Sequence, residues 1–158
     1  MTRAEQEDAP RIIVGLDGSE SSKEALRWAL RYSDLTGTRI TAVMTWQYPA
    51  GYGLGGVPPD SELWRPDLDA ARTVEATLAD VLGDDRPEDL GAVTPEGNPA
   101  RVLVELSAGA ALLVVGSRGH GGFAGLLLGS VSSACAQHAR CPVLVMHENP
   151  DATARHHG

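Results

Sequence analysis

The residues of this chain best suited to hold a ligand lie in one run, Gly116-Ser117-Arg118-Gly119-His120-Gly121-Gly122-Phe123-Ala124-Gly125-Leu126-Leu127-Leu128-Gly129-Ser130. Glycine accepts positive φ and lets the main chain approach a ligand closely. Successive N–H groups in such a loop form a nest for oxygen anions. A helix opening at Gly129 or Ser130 adds unpaired N–H groups and a partial positive charge. The hydroxyls of Ser130, Ser132 and Ser133 stand where they could donate to the same ligand, although Ser130 would serve equally as a plain helix cap. The chemistry is that of an anion site, with phosphate as its occupant. A second candidate is Asp17, which closes the apolar run Arg11–Leu16 and reads either as a ligand carboxylate or as a turn residue entering a helix.

Other phosphate-binding patterns fit less well. A Walker A loop needs a lysine after its glycines, and Lys23, far upstream, is the only lysine of the chain. Gly119-x-Gly121-x-x-Ala124 matches the dinucleotide pattern G-x-G-x-x-G/A, with Glu148 as a ribose-binding acid. That pattern belongs to a first βαβ unit, whereas here a single strand follows it, so a dinucleotide site stands as the weaker alternative. Nothing in the sequence pairs a nucleophile with a base, and His138, His147, His156 and His157 lack ligand spacing with a carboxylate. Neither catalytic residues nor a metal site are expected, and His120 reads as exposed loop.

The charge balance narrows the partners. Thirteen basic and 21 acidic residues give a net charge of −8. Such a surface repels nucleic acid and anionic membranes, but main-chain N–H groups bind a single phosphate group without any net positive charge. Cys135 and Cys141 fit no metal or redox spacing and read as packed thiols in a reducing compartment. The polar start Met1–Pro10 is unlike a signal segment. No apolar run approaches the ~20 residues needed to span a bilayer, so a cytoplasmic location is expected.

The elements that must position these residues alternate. Arg11–Leu16, Arg39–Trp46, Leu90–Pro95, Ala110–Val115 and Pro142–His147 read as strands. Between them, helical spacing predicts a helix capped by the box Ser21-x-x-Glu24 and stopped at Gly37, and a second over Leu68–Leu82. A third follows, with Asn98 as cap and Pro99 in its first turn, and a last one runs to about His138. Trp28 and Tyr32 fall off the main stripe of the first helix. Tyr48–Pro66, rich in Gly and Pro, reads as loop, with Trp64 at its far end. Strict alternation with continuous apolar strands predicts an α/β fold, a parallel sheet covered by helices on both faces. One domain is expected over residues 11–148, with flexible tails at 1–10 and 149–158.

Three anchors carry a family resemblance. Gly116-x2-Gly119-x9-Gly129-Ser130 matches the G-x2-G-x9-G-[ST] signature of ATP-binding universal stress proteins. IIVGLDGSESSKEALRWA resembles that family's first strand, Asp and first helix, and HARCPVLVM its last helical turn and final strand. The resemblance covers roughly Arg11 to His147. It implies an open five-stranded parallel sheet in the order 3-2-1-4-5, of the adenine nucleotide alpha hydrolase-like kind. The strand order then reverses between strands 1 and 4, where open α/β sheets hold ligands. It further implies that Gly15, Leu16 and Asp17 line the adenine and ribose side, and that the backbone at Thr45 reads the adenine edge. Gly97 would lie nearby. Gly116, Arg118, Gly119, Gly129, Ser130, Val131 and Ser132 would surround ribose and phosphates. The implied ligand is ATP, with Mg²⁺ held through the triphosphate with help from Asp17, and the implied assembly is a homodimer through the last strand. A nucleotide-sensing regulatory module in stress response with slow or negligible hydrolysis follows. A weak ATPase or phosphotransferase on the same site, and a protein acting only by protein contact, are the other readings.

Overall fold

The computed structural model describes residues 9–48, 65–117 and 128–148. Expectations for the two tails, for most of the 48–66 loop with Trp64, and for Arg118, Gly119 and His120 fall outside the described residues.

Five parallel strands form one sheet in the order β3-β2-β1-β4-β5. They are β1 (Ile12–Gly15), β2 (Ile40–Val43), β3 (Leu90–Val93), β4 (Leu112–Gly116) and β5 (Val143–Met146). The helices between them are α1 (Glu20–Thr36), α2 (Pro66–Leu82), α3 (Pro99–Ser107) and α4 (Ser130–His138). Alternation along each strand divides the core into two layers. Ile12, Val14, Ile40, Ala42 and Val114 pack under Leu26 and Ala29 of α1 and Val74 and Leu78 of α2. On the other face, Ile13, Val43, Leu113 and Val115 meet Val102 and Leu103 of α3 and Cys135 of α4. Burial on both faces is why β1 and β4 are apolar without alternation. Among the described residues no helix is long and apolar enough to cross a membrane.

The helix ends differ in detail from the sequence expectation. The cap of α1 is Ser19, whose hydroxyl accepts from the Ser22 N–H at 3.3 Å, not Ser21. Ser21 and Ser22 are already helical and buried, because the end of β4 presses against this turn, and Glu24 pairs with Arg27 rather than with a cap. Gly37, at φ 73°, closes α1 in the left-handed region, as expected. The second helix starts at Pro66, ahead of Leu68, where proline's missing N–H costs nothing. As a ladder β2 ends at Val43, and Trp46 adds an isolated bridge to Glu96.

Candidate functional site

At the C-terminal ends of β1 and β4 the chain leaves in opposite directions, to β2 on one side and to β5 on the other. That reversal opens a crevice above Leu16 and Gly116. Leu16 is buried, its N–H bonded to Val43 O at 2.8 Å. Asp17 is exposed beside it. Its Oδ1 accepts the Ser19 N–H at 2.9 Å and the Ser19 hydroxyl. None of the described hydrogen bonds uses its Oδ2. One oxygen therefore shapes the turn and the other faces outward.

Gly15 and Gly116, at the ends of β1 and β4, have packing reasons to be glycine. A Cβ on Gly15 would stand 2.9 Å from Leu103 Cδ1. A Cβ on Gly116 would stand 2.7 Å from both the Ser21 carbonyl carbon and the Ser22 nitrogen, main-chain atoms of the first turn of α1. Helix and strand approach closely at both positions.

Thr45 lies two residues beyond the end of β2. Met44 and Trp46 donate their N–H groups to Val93 O and Pro95 O, at 3.2 and 3.3 Å. Alternation therefore turns the N–H and C=O of Thr45 the other way, toward β1. There β1 has already bent away at Asp17, and among the described residues neither group of Thr45 has a partner. Trp46 holds this segment in place. Its indole donates to Thr94 O at 2.9 Å, and its carbonyl accepts the Gly97 N–H at 2.8 Å. Gly97 is thus the turn that fastens β2 to the start of α3.

On the far wall, Ser117 is the base of the glycine loop. Its N–H donates to Met146 O and its carbonyl accepts the Gly129 N–H, both at 2.7 Å. The Ser132 hydroxyl, buried, lies 3.2 Å from Ser117 O and 3.1 Å from Gly129 O. Of the serines expected at the site, Ser132 thus points at the loop base, while Ser130 is exposed and none of the described hydrogen bonds uses its hydroxyl. Caps Ser19 and Asn98 close α1 and α3, but Gly129 caps α4 with no side-chain bond. The N–H groups of Ser130, Val131 and Ser132 consequently lack acceptors among the described residues. Val131 is half-buried against the second core layer.

A groove of about 590 Å³ opens from Asp17 and Gly18 toward Arg72, Thr73 and Thr77 of α2. Lys23 lines it, but its ammonium is committed to Asp80 at 3.1 Å and Glu20 at 3.2 Å. These carboxylates, Asp80 first, hold its pKa above the ordinary lysine value. The one lysine therefore ties α1 to α2. Among the described residues no cluster of His, Cys, Asp and Glu gathers that would hold a metal ion.

Sequence reasoning assigned no role of their own to Ser19 and Ser117. Asp-Gly-Ser just ahead of a helical pattern is an Asx-turn signal that would have found the first. Only the meeting of β5 with the loop identifies the second.

Against known proteins, the universal stress protein family matches over residues 9–147. A universal stress protein of Mycolicibacterium smegmatis is 35% identical over 139 residues, covering 85% of this chain and 45% of that protein. Universal stress protein Rv2623 of Mycobacterium tuberculosis is 34% identical over 151 residues, covering 87% and 47%. The chain spans about half the length of the curated relatives it matches. Among solved structures, UspA of Lactobacillus plantarum superposes with a TM-score of 0.68 at 23% identity, over 87% of this chain and 97% of that one. A universal stress protein in complex with cAMP gives 0.65 at 26%, over 89% and 98%. An Arabidopsis thaliana family member with AMP bound gives 0.55 at 22%, over 91% and 95%. The strand order, the reversal between β1 and β4 and the match along nearly all of the chain agree, and this protein belongs to the universal stress protein family.

Proposed function

We propose that this chain is an adenine-nucleotide-binding regulatory module, with ATP as its ligand and binding rather than turnover as its activity. One observation carries the proposal: at the end of β2 and at the start of α4, main-chain groups have no partner among the described residues. Thr45 offers one donor and one acceptor side by side, which is what the edge of an adenine requires. The open N–H groups of Ser130, Val131 and Ser132, with the Ser130 hydroxyl, suit phosphate oxygens at a helix N-terminus. Asp17 Oδ2, which none of the described hydrogen bonds uses, would accept from a ribose hydroxyl. Gly15, Leu16 and Gly116 form the floor, and Gly129 leaves the helix end uncapped. Arg118 and Gly119 are assigned to the phosphates by their places in the signature. Ser132 contributes its N–H to the ligand and its hydroxyl to the loop base. Mg²⁺ would be held by triphosphate oxygens, with Asp17 as the nearest site carboxylate.

In this reading occupancy, not hydrolysis, is the signal. The module works in the cytoplasm, in stress response, as a homodimer joined through β5. A second reading takes a nucleoside monophosphate as the natural ligand, since solved relatives hold cAMP and AMP.

Calorimetry with ATP, ADP, AMP, cAMP and GTP, with and without Mg²⁺, tests the proposal. ATP should release heat, GTP should not, and Thr45→Pro, which deletes the N–H, should erase that preference. AMP or cAMP binding as tightly as ATP would establish the second reading. Absence of heat with every adenine nucleotide on folded protein would sink both.

A further inference from the structure

Helices α1 and α2 both run back from the C-terminal edge of the sheet, yet they start at different heights. Lys23, in the first turn of α1, holds Asp80, in the last turn of α2, at 3.1 Å. At the α-helical rise per residue, α2 therefore begins roughly 15 Å ahead of α1. Its first turns project beyond the Asp17 turn that leads into α1. One side of α2, with Ala70, Val74 and Leu78, is buried in the first core layer. Another side meets α1 only at its lower end, through Lys23 and Asp80. Higher up, Arg72, Thr73, Ala76 and Thr77 face the Asp17–Gly18 turn across the groove of about 590 Å³. That volume is of small-ligand size.

Two side chains can donate into this groove. Arg72 stands 3.9 Å from Asp69 Oδ1, beyond hydrogen-bond reach, and none of the described hydrogen bonds uses its guanidinium. The Lys23 ammonium has a third N–H beyond those given to Asp80 and Glu20. Those two carboxylates offset its charge, so Arg72 is the principal cation of the groove. Thr73 and Thr77 donate their hydroxyls to Asp69 O and Thr73 O, both at 2.8 Å, and can only accept from a ligand.

Asp17 stands where the groove meets the crevice. A ribose hydroxyl that bonds its Oδ2 has a second hydroxyl beside it, on the neighbouring carbon and the same face of the sugar. A phosphoryl group on that second oxygen would enter the groove on the side of Arg72.

We infer that crevice and groove together take an adenine nucleotide phosphorylated on a ribose hydroxyl, with Arg72 gripping the added phosphate. The inference rests on the nucleotide reading proposed above and extends its ligand class. A free hydroxyl next to a phosphorylated one matches an acceptor, Asp17, across from a guanidinium whose fork fits two phosphate oxygens.

Calorimetry with adenosine 2′,5′-bisphosphate and adenosine 3′,5′-bisphosphate, against AMP and ADP, tests it. The better-placed bisphosphate should bind about tenfold more tightly than AMP, or more. Arg72→Ala should bring that ratio close to unity, and Arg72→Lys should keep part of it. The ratio of ADP to AMP affinity should be the same in all three proteins, because ADP adds its charge at the 5′ end. Arg72 is 78% exposed, so its replacement should leave the melting curve by circular dichroism in place. Bisphosphates that bind no more tightly than AMP, or a gain that survives Arg72→Ala, would overturn the inference and leave the nucleotide reading standing. Inorganic phosphate that releases the same Arg72-dependent heat without any nucleotide would mark a free-anion site and overturn it as well. No heat with any adenine nucleotide on folded protein would end both.

Discussion

Gly116 opens the phosphate signature, yet its surroundings predict that replacing it damages the protein before any nucleotide arrives. In Gly116→Ala the new methyl would stand 2.7 Å from the Ser21 carbonyl carbon and the Ser22 nitrogen. That is roughly 0.7 Å short of the closest ordinary contact between such atoms. The neighbours are main chain, in a helical turn pinned by the Ser19 cap, so no side chain can swing aside. Relief requires moving the start of α1 off β4, and overpacking of this kind costs about 1–3 kcal/mol. For a domain of this size the melting temperature falls by about 2–4 °C per kcal/mol, or roughly 2–12 °C in all. The control is Gly91→Ala in β3, where a Cβ meets nothing within 4 Å and the melting temperature should hardly move. Both variants are melted by calorimetry after dialysis to a nucleotide-free state. Equal melting temperatures for the two would refute the packing argument and return Gly116 to a role in ligand approach alone.

Three further predictions bear on the same architecture. Gly129→Asp supplies the cap that α4 lacks, so stability should rise by about 0.3–1 kcal/mol while the carboxylate occupies the anion site and ATP affinity falls at least tenfold; urea unfolding and calorimetry on one preparation check the opposite signs. Ser107 is fully buried, its hydroxyl donating to Val104 O at 2.6 Å and accepting the Arg140 N–H at 2.8 Å. Ser107→Ala strands that N–H and should cost about 1–3 kcal/mol in urea unfolding. Burial, with a smaller push from Cys141, raises the Cys135 thiol to about 11. Its folded pKa exceeds its unfolded one, so the stability tied to the neutral thiol is complete below the unfolded value and is lost as pH rises through about 11. A thiol reagent at pH 8 should therefore modify half-buried Cys141 well before Cys135, and the reverse order would contradict the assignment.

The order of elements was legible in the chain because each strand is a short apolar run between helical stripes, and burial on both faces of a parallel sheet demands that pattern. Asn98, Pro99 and Gly37 took their expected places, since caps and left-handed turns depend on neighbours a few residues away. The capping box at Ser21 failed for the opposite reason. A serine before a helix looks the same whether it caps or packs, and β4, almost a hundred residues away, decides which. The site divides in the same way. Residue types at Asp17, Gly116, Gly129 and Ser130 pointed to two loops from local chemistry alone. That Ser132 turns its hydroxyl to the loop base, that Thr45 has a donor and an acceptor without partners among the described residues, and that Ser117 joins β5 to the loop are consequences of strand register and of where β1 bends away. Local sequence sets conformational preference within a few residues; which polar groups remain unspent depends on partners brought together from across the sheet, and only the folded chain decides that.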